Sequence, residues 1–127
     1  MKKILIVEDE HDIVTLLSFS LKKAGFEIIT TRDGEKGLAA ARDRKPDLII
    51  LDLNLPKLPG EEVCKAIRED LDESFASTPI IMVTAKAGDV DRIIGKSIGA
   101  NRYITKPFEM ECLLKEIRDI LHSRESL

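Results

Sequence analysis

The sequence has 127 residues, of which 43% are hydrophobic and 34% are charged, and its formal net charge is -3. This length suits one domain, and this charge balance favours neither nucleic acid nor an anionic membrane as a partner. The apolar runs are too short for a membrane span, no signal peptide is recognisable, and two cysteines cannot form a disulfide framework, so we expect a cytoplasmic protein.

Five β-rich runs alternate with five stretches of helical periodicity along the whole chain. Strands are predicted near residues 3–7, 27–31, 48–52, 80–84 and 102–105. Helices are predicted near residues 10–24, 34–44, 60–70, 89–98 and 109–122. This order predicts a (βα)5 domain over residues 1–122, followed by a polar tail at 123–127. The acidic connection at 68–78 is expected to be exposed.

The first, third and fourth strands are continuous apolar runs rather than alternating ones. Such runs are typical of parallel strands that crossover helices cover on both faces. We therefore predict an α/β fold with a doubly wound, five-stranded parallel sheet.

Functional groups are expected at the carboxyl ends of the strands, where open α/β sheets bind their ligands. Glu8 and Asp9 follow the first strand, Asp52 ends the third, Thr84 ends the fourth and Lys106 follows the fifth. Carboxylates gathered at one edge repel one another unless a cation lies among them. A hard divalent ion such as Mg²⁺, which takes carboxylates, water and a phosphate as ligands, is therefore predicted.

With a metal present, Asp52 can attack phosphorus and form an aspartyl phosphate, while Lys106 and Thr84 hold the phosphoryl oxygens. Each residue also has an ordinary structural interpretation: acids at 8–12 can charge a helix N-terminus, and Thr84 can make a local turn. Their joint position at one edge of the sheet favours the functional interpretation.

The chain resembles the receiver domains of two-component response regulators from its first strand to its last helix. The matching stretches are ILIVEDE, PDLIILDLNLP, PIIMVTA and GANRYITKPF, in that order. The resemblance implies the flavodoxin-like strand order 2-1-3-4-5.

By position, Asp52 resembles the phospho-accepting aspartate of these domains. The resemblance implies that Asp9 binds Mg²⁺ directly, that Glu8 binds it through water, and that Asn54 contributes its backbone carbonyl. Mn²⁺ is the expected substitute for Mg²⁺.

The resemblance also implies a conformational switch. Thr84 corresponds to the switch hydroxyl, Tyr103 to the switch aromatic and Lys106 to the lysine that contacts the phosphoryl group. The peptide between Lys106 and Pro107 is expected to be cis.

The implied function is signalling rather than metabolic catalysis, because a receiver catalyses only its own phosphorylation and dephosphorylation. A sensor histidine kinase, a phosphotransfer protein or a small phosphodonor supplies the phosphoryl group. A downstream effector then reads the surface formed by the fourth helix, fifth strand and fifth helix.

The sequence departs from the family before the switch aromatic, where receivers often carry two acids and this chain has Asn101 and Arg102. DNA-binding relatives that dimerise through this surface pair such acids with a basic residue of the last helix, where Glu116 stands. We therefore expect a monomer or a phosphorylation-dependent dimer, without that charge pairing. The sequence contains no output domain, which is compatible with a stand-alone receiver and with the receiver of a longer regulator.

Two other functions agree less well with the residues. A phosphohydrolase of the haloacid dehalogenase type needs a second acid where Asn54 stands, and a longer chain. A flavodoxin-like carrier of a flavin phosphate needs a Ser-, Thr- or Gly-rich first loop, whereas EDEHD would repel an anion.

Overall fold

The computed structural model describes residues 1–85, 88, 93 and 97–125. The strands are β1 (Lys3–Val7), β2 (Glu27–Thr31), β3 (Leu48–Leu51), β4 (Ile80–Thr84) and β5 (Arg102–Thr105). The described helices are α1 (His11–Lys23), α2 (Gly34–Arg44), α3 (Gly60–Arg68), the short α4 (Glu73–Ala76) and α5 (Met110–Glu125). Most of the helix predicted near 89–98 lies outside the described residues. Within them, no helix has both the length and the apolar composition needed to cross a membrane.

The five strands form one sheet in the order β2-β1-β3-β4-β5, and every neighbouring pair is parallel. This confirms the predicted fold class and strand order. The predicted strand bounds agree with the structure to within one residue, whereas α5 continues three residues past its predicted end at 122.

Two apolar clusters cover the two faces of the sheet. Because successive side chains of a strand point to opposite faces, the central strands contribute alternately to each cluster. One cluster contains Leu5, Val7, Ile49, Leu51, Ile80 and Met82, with Ala41 of α2 and Val63, Cys64 and Ile67 of α3. The other contains Ile4, Ile6, Leu48, Ile50, Ile81 and Val83, with Leu17 and Leu21 of α1 and Leu113 and Ile117 of α5. Burial on both faces explains why these strands are apolar at every position.

The connection at 68–78 contains a helix that the sequence analysis did not predict. Asp72 begins α4 by accepting hydrogen bonds from the backbone N–H groups of Ser74 and Phe75, at 3.0 and 3.3 Å. The Phe75 side chain is buried in the core beside α3. This segment is therefore not wholly exposed, because one aromatic side chain anchors it.

Arg68, the last residue of α3, links three segments of the chain. Its guanidinium donates to the backbone carbonyls of Ala76 and Thr78, both at 2.7 Å, and of Gly99 at 2.9 Å. It also donates to the side-chain carbonyl of Asn101 at 3.0 Å. Burial lowers the pKa of Arg68 from its usual value. These bonds hold the residues before β4 and before β5 against the end of α3.

The end of α2 yields a prediction about stability. Lys45, the C-cap residue of α2, has φ 45° and lies in the left-handed region, which costs an L-residue roughly 1–2 kcal/mol. Because glycine adopts this conformation without steric cost, we expect Lys45→Gly to raise the free energy of unfolding by roughly 0.5–1 kcal/mol, measured by urea denaturation. The control Asp43→Gly, inside the helix, should lower it by roughly 0.5–1 kcal/mol. Destabilisation by both variants would contradict this account.

Candidate active site

The strand order brings the ends of β1, β3, β4 and β5 to one edge of the sheet. The backbone N–H of Asp52 donates to the carbonyl of Val7 at 3.1 Å, and that of Lys106 donates to the carbonyl of Thr84 at 2.8 Å. The residues just after β3 and β5 are thus fixed by bonds that continue the sheet. The backbone positions from which the Asp52 and Lys106 side chains extend are therefore fixed.

A glycine allows α3 to begin directly beside Asp52. The N–H of Gly60 donates to the carbonyl of Leu53 at 3.0 Å. A Cβ at position 60 would collide with the backbone carbonyl of Asp52. Any other residue at this position would push the helix away from the loop that follows the aspartate.

The Lys106 ammonium lies among three carboxylates. Its Nζ is 2.6 Å from Oε1 of Glu8, 3.2 Å from Oδ2 of Asp52 and 3.4 Å from Oε1 of Glu10. The side chains of Glu8 and Asp52 are 3% and 4% exposed, and that of Lys106 is 10% exposed. A single cation therefore neutralises part of a buried negative charge.

This environment changes the ionisation of the group. Burial raises the pKa of Glu8 to about 7, and the Asp52 charge acts in the same direction, although the hydrogen bond from Lys106 opposes it. Burial alone would lower the pKa of Lys106, but its hydrogen bond with Glu8 and the charges of Asp52 and Glu8 outweigh burial and raise it. Lys106 therefore stays charged while Glu8 titrates near neutral pH.

A third acid of the first loop, Glu10, also lies beside Lys106. In the described part of the chain, one group of carboxylates has ligand atoms within 4.8 Å of one another: those of Glu8, Glu10 and Asp52. Asp9 is exposed, its carboxylate is not in this group, and its backbone carbonyl accepts a hydrogen bond from Arg32 at 3.1 Å. Glu10 was not predicted as a site residue, although EDE places three acids in succession after β1.

Asp52 and Asn54 are directly connected. Oδ1 of Asp52 accepts a hydrogen bond from the Asn54 N–H at 3.3 Å, and the Asn54 residue is exposed. The two oxygens of Asp52 thus have different partners, a backbone N–H on one side and the Lys106 ammonium on the other. The carboxylate is held in one orientation.

The proposed switch residues lie on the last two strands. Thr84, at the end of β4, is fully buried and is paired in register with Thr105. Tyr103 is half-buried, pairs with Met82 and packs against the cluster that includes Val63. The Lys106–Pro107 peptide bond is cis.

The residues that depart from the receiver pattern have partners within the chain. Arg102 donates from Nε to Oε2 of Glu116 on α5 at 2.7 Å. The Asn101 side-chain oxygen accepts hydrogen bonds from the Ile80 N–H at 2.9 Å and from Arg68. The basic residue on β5 and the acidic residue on α5 therefore form an intramolecular ion pair.

Known proteins resemble this chain in sequence over nearly its full length. Residues 4–118 match the family described as the response regulator receiver domain. The transcriptional regulatory protein PhoP of alkaline phosphatase synthesis from Bacillus subtilis is 45% identical over 98% of this chain and 50% of its own length. The response regulator ArlR of Staphylococcus aureus is 45% identical over 95% of this chain and 53% of its own. The chain thus spans about half the length of these relatives.

Solved structures show the same fold. The chemotaxis response regulator CheY4 of Vibrio cholerae has a TM-score of 0.86 and 37% identity, covering 94% of this chain and 98% of its own. The receiver domain of the sensor histidine kinase PA1611 from Pseudomonas aeruginosa, with magnesium coordinated in its active-site cleft, has a TM-score of 0.86 and 30% identity, covering 95% and 98%. The sequence, the sheet order and the family match agree, and the chain belongs to the family of response regulator receiver domains.

Proposed function

We propose that this receiver domain accepts a phosphoryl group on Asp52 in a cytoplasmic two-component phosphorelay. The observation that carries the proposal is the Lys106 ammonium, which lies 3.2 Å from the buried Asp52 carboxylate and 2.6 Å from that of Glu8. A nucleophilic carboxylate with a cation beside it suits phosphoryl transfer, in which positioning and charge neutralisation supply most of the catalysis.

The chemical step uses one oxygen of Asp52. A bond forms between that oxygen and phosphorus while the bond from phosphorus to the imidazole nitrogen of the donor histidine breaks, and the nitrogen keeps the electron pair. Lys106 and the Thr84 hydroxyl bind the phosphoryl oxygens, and the Asn54 N–H orients the carboxylate through its bond to Oδ1.

The residues fit a hard divalent cation. Glu8 and Asp52 offer buried carboxylate oxygens within 4.8 Å of one another, and a cationic group already lies between them. The carboxylates of Glu8, Asp9 and Asp52 and the backbone carbonyl of Asn54 would hold Mg²⁺, or Mn²⁺ in its place. When bound, the ion neutralises charge on the phosphoryl group during transfer.

Phosphorylation would be read through the strands next to the site. Thr84 moves toward the phosphoryl group, Tyr103 turns inward, and the surface that includes β5 and α5 changes for a downstream effector. The donor is a sensor histidine kinase or a phosphotransfer protein. The Arg102–Glu116 pair within the chain supports a monomer, or a phosphorylation-dependent dimer that uses other contacts.

The assignment of Asp52 is tested by intact-mass measurement. With Mg²⁺ and acetyl phosphate, we expect the protein to gain the mass of one phosphoryl group and Asp52→Asn to gain none, because the nucleophilic oxygen is lost. The control Asp43→Asn, on α2, should gain the same mass as the unmodified chain. Labelling of Asp52→Asn to the same extent would refute the assignment.

Metal binding should stabilise the folded chain. An ion that binds only the native state raises the unfolding temperature, and Mg²⁺ at about ten times its dissociation constant should raise it by roughly 3–6 °C. Asp52→Asn should reduce this shift, whereas Asp43→Asn should leave it unchanged. An unfolding temperature that does not respond to millimolar Mg²⁺ would contradict the metal site.

The pKa of Glu8 predicts how stability depends on pH without metal. Its value of about 7 in the folded chain exceeds 4.5, so the native state binds more protons than the unfolded state between these values. The free energy of unfolding should therefore fall as the pH rises from 5 to 8, by up to about 3 kcal/mol from this group. Glu8→Gln should remove this fall in urea titrations, whereas the exposed control Glu69→Gln should keep it. Parallel pH curves for Glu8→Gln and the unmodified chain would contradict the assignment.

A further inference from the structure

Glu10 is the solvent-exposed member of the carboxylate group around Lys106. Its side chain is 59% exposed, against 3% for Glu8 and 4% for Asp52. Its Oε1 nevertheless lies 3.4 Å from the Lys106 ammonium and within 4.8 Å of ligand oxygens of Glu8 and Asp52. Glu10 therefore lies between the buried part of the site and the solvent.

The Glu10 carboxylate does not cap its own helix. Asp33 and Asp72 are the N-cap residues of α2 and α4, and their carboxylates accept hydrogen bonds from backbone N–H groups of those helices. N-cap aspartates commonly make such bonds. Glu10 occupies the corresponding position of α1 but makes no side-chain cap bond. Its N–H donates to Oε2 of Glu8 at 3.3 Å, which ties its backbone to the site. The side chain is directed to Lys106 instead.

A phosphodonor that reaches the buried Asp52 comes close to the exposed Glu10 carboxylate, because ligand oxygens of the two residues lie within 4.8 Å of each other. The donor brings negative oxygens to Lys106, and the Glu10 carboxylate lies 3.4 Å from that ammonium. The repulsion between Glu10 and the donor grows with the donor's charge. At separations near 5 Å in a solvated environment, one additional unit of charge changes a rate about three- to tenfold.

We propose that Glu10 is a specificity-determining residue that discriminates among phosphodonors by their charge. It disfavours doubly charged acyl phosphates relative to donors that carry one net negative charge. This inference rests on the proposed phosphorylation of Asp52 and adds a residue that sets which donors are used. Small metabolic acyl phosphates are thereby poorer donors than they would be at a site without Glu10.

Two small donors test the proposal. Acetyl phosphate is a dianion at neutral pH, whereas phosphoramidate carries one net negative charge. In both reactions an Asp52 oxygen bonds to phosphorus; acetate leaves with the electron pair of the P–O bond, or ammonia leaves with that of the P–N bond. Rates of mass gain are measured with each donor at saturating Mg²⁺ for the unmodified chain and for Glu10→Gln.

We expect Glu10→Gln to increase the rate with acetyl phosphate about three- to tenfold more than the rate with phosphoramidate. The difference should shrink in about 0.5 M KCl, because salt screens exposed charges. Glu69→Gln, which removes a charge at the far end of α3, should behave as the unmodified chain.

Equal acceleration with both donors, or a difference that salt does not reduce, would overturn the role of Glu10 and leave Asp52 phosphorylation intact. Failure of both donors to label the unmodified chain would instead overturn the proposed function itself. Circular dichroism spectra and Mg²⁺-dependent unfolding temperatures verify that each variant is folded and binds metal, so the rates compare intact sites.

Discussion

The ion pairs of Lys106 are the interaction on which the site depends. Two carboxylates with almost no exposure would destabilise the folded chain if no positive charge lay between them. The Lys106 ammonium supplies that charge. Lys106 follows β5, almost one hundred positions after Glu8 in the sequence. The site is therefore an electrostatic unit whose parts are stable only together.

The fold makes this arrangement possible because the apolar core covers the faces of the sheet, whereas the charged side chains lie at the ends of the strands. Both faces of the sheet are covered with apolar side chains, so polar groups can approach one another only where the strands end. The parallel order places the ends of β1 and β3 side by side at the centre, and β4 and β5 follow. Substitutions at the strand ends can then alter reactivity while the core keeps its packing.

The pattern of the sequence was sufficient for the architecture and for most of the site. Continuous apolar strands, helical periodicity and acids at strand ends led to the sheet and to Glu8, Asp52 and Lys106 as one cluster. The short α4 was missed because four residues are too few to show a periodicity, and its anchor is one phenylalanine in a polar stretch.

The position of Glu10 beside Lys106 was missed for a different reason. Three successive acids point in directions that only the backbone angles at the start of α1 determine, so spacing alone could not show which of them turns toward Lys106. The hydrogen bonds of Arg68 could not be predicted either. Every residue has a backbone carbonyl, so the residue types do not indicate which carbonyls accept these bonds.

The hydrogen bonds of Arg68 respond to pH differently from the carboxylate of Glu8. The four oxygens that it binds belong to three backbone amides and one side-chain amide, all uncharged at any physiological pH. An arginine keeps its charge over the same range. Glu8 gains or loses a proton at one edge of the sheet. The hydrogen bonds that Arg68 donates to the residues before β4 and β5 keep the same strength over this pH range. The chain can thus change its charge beside Asp52 without weakening the hydrogen bonds by which Arg68 holds β4 and β5 against α3.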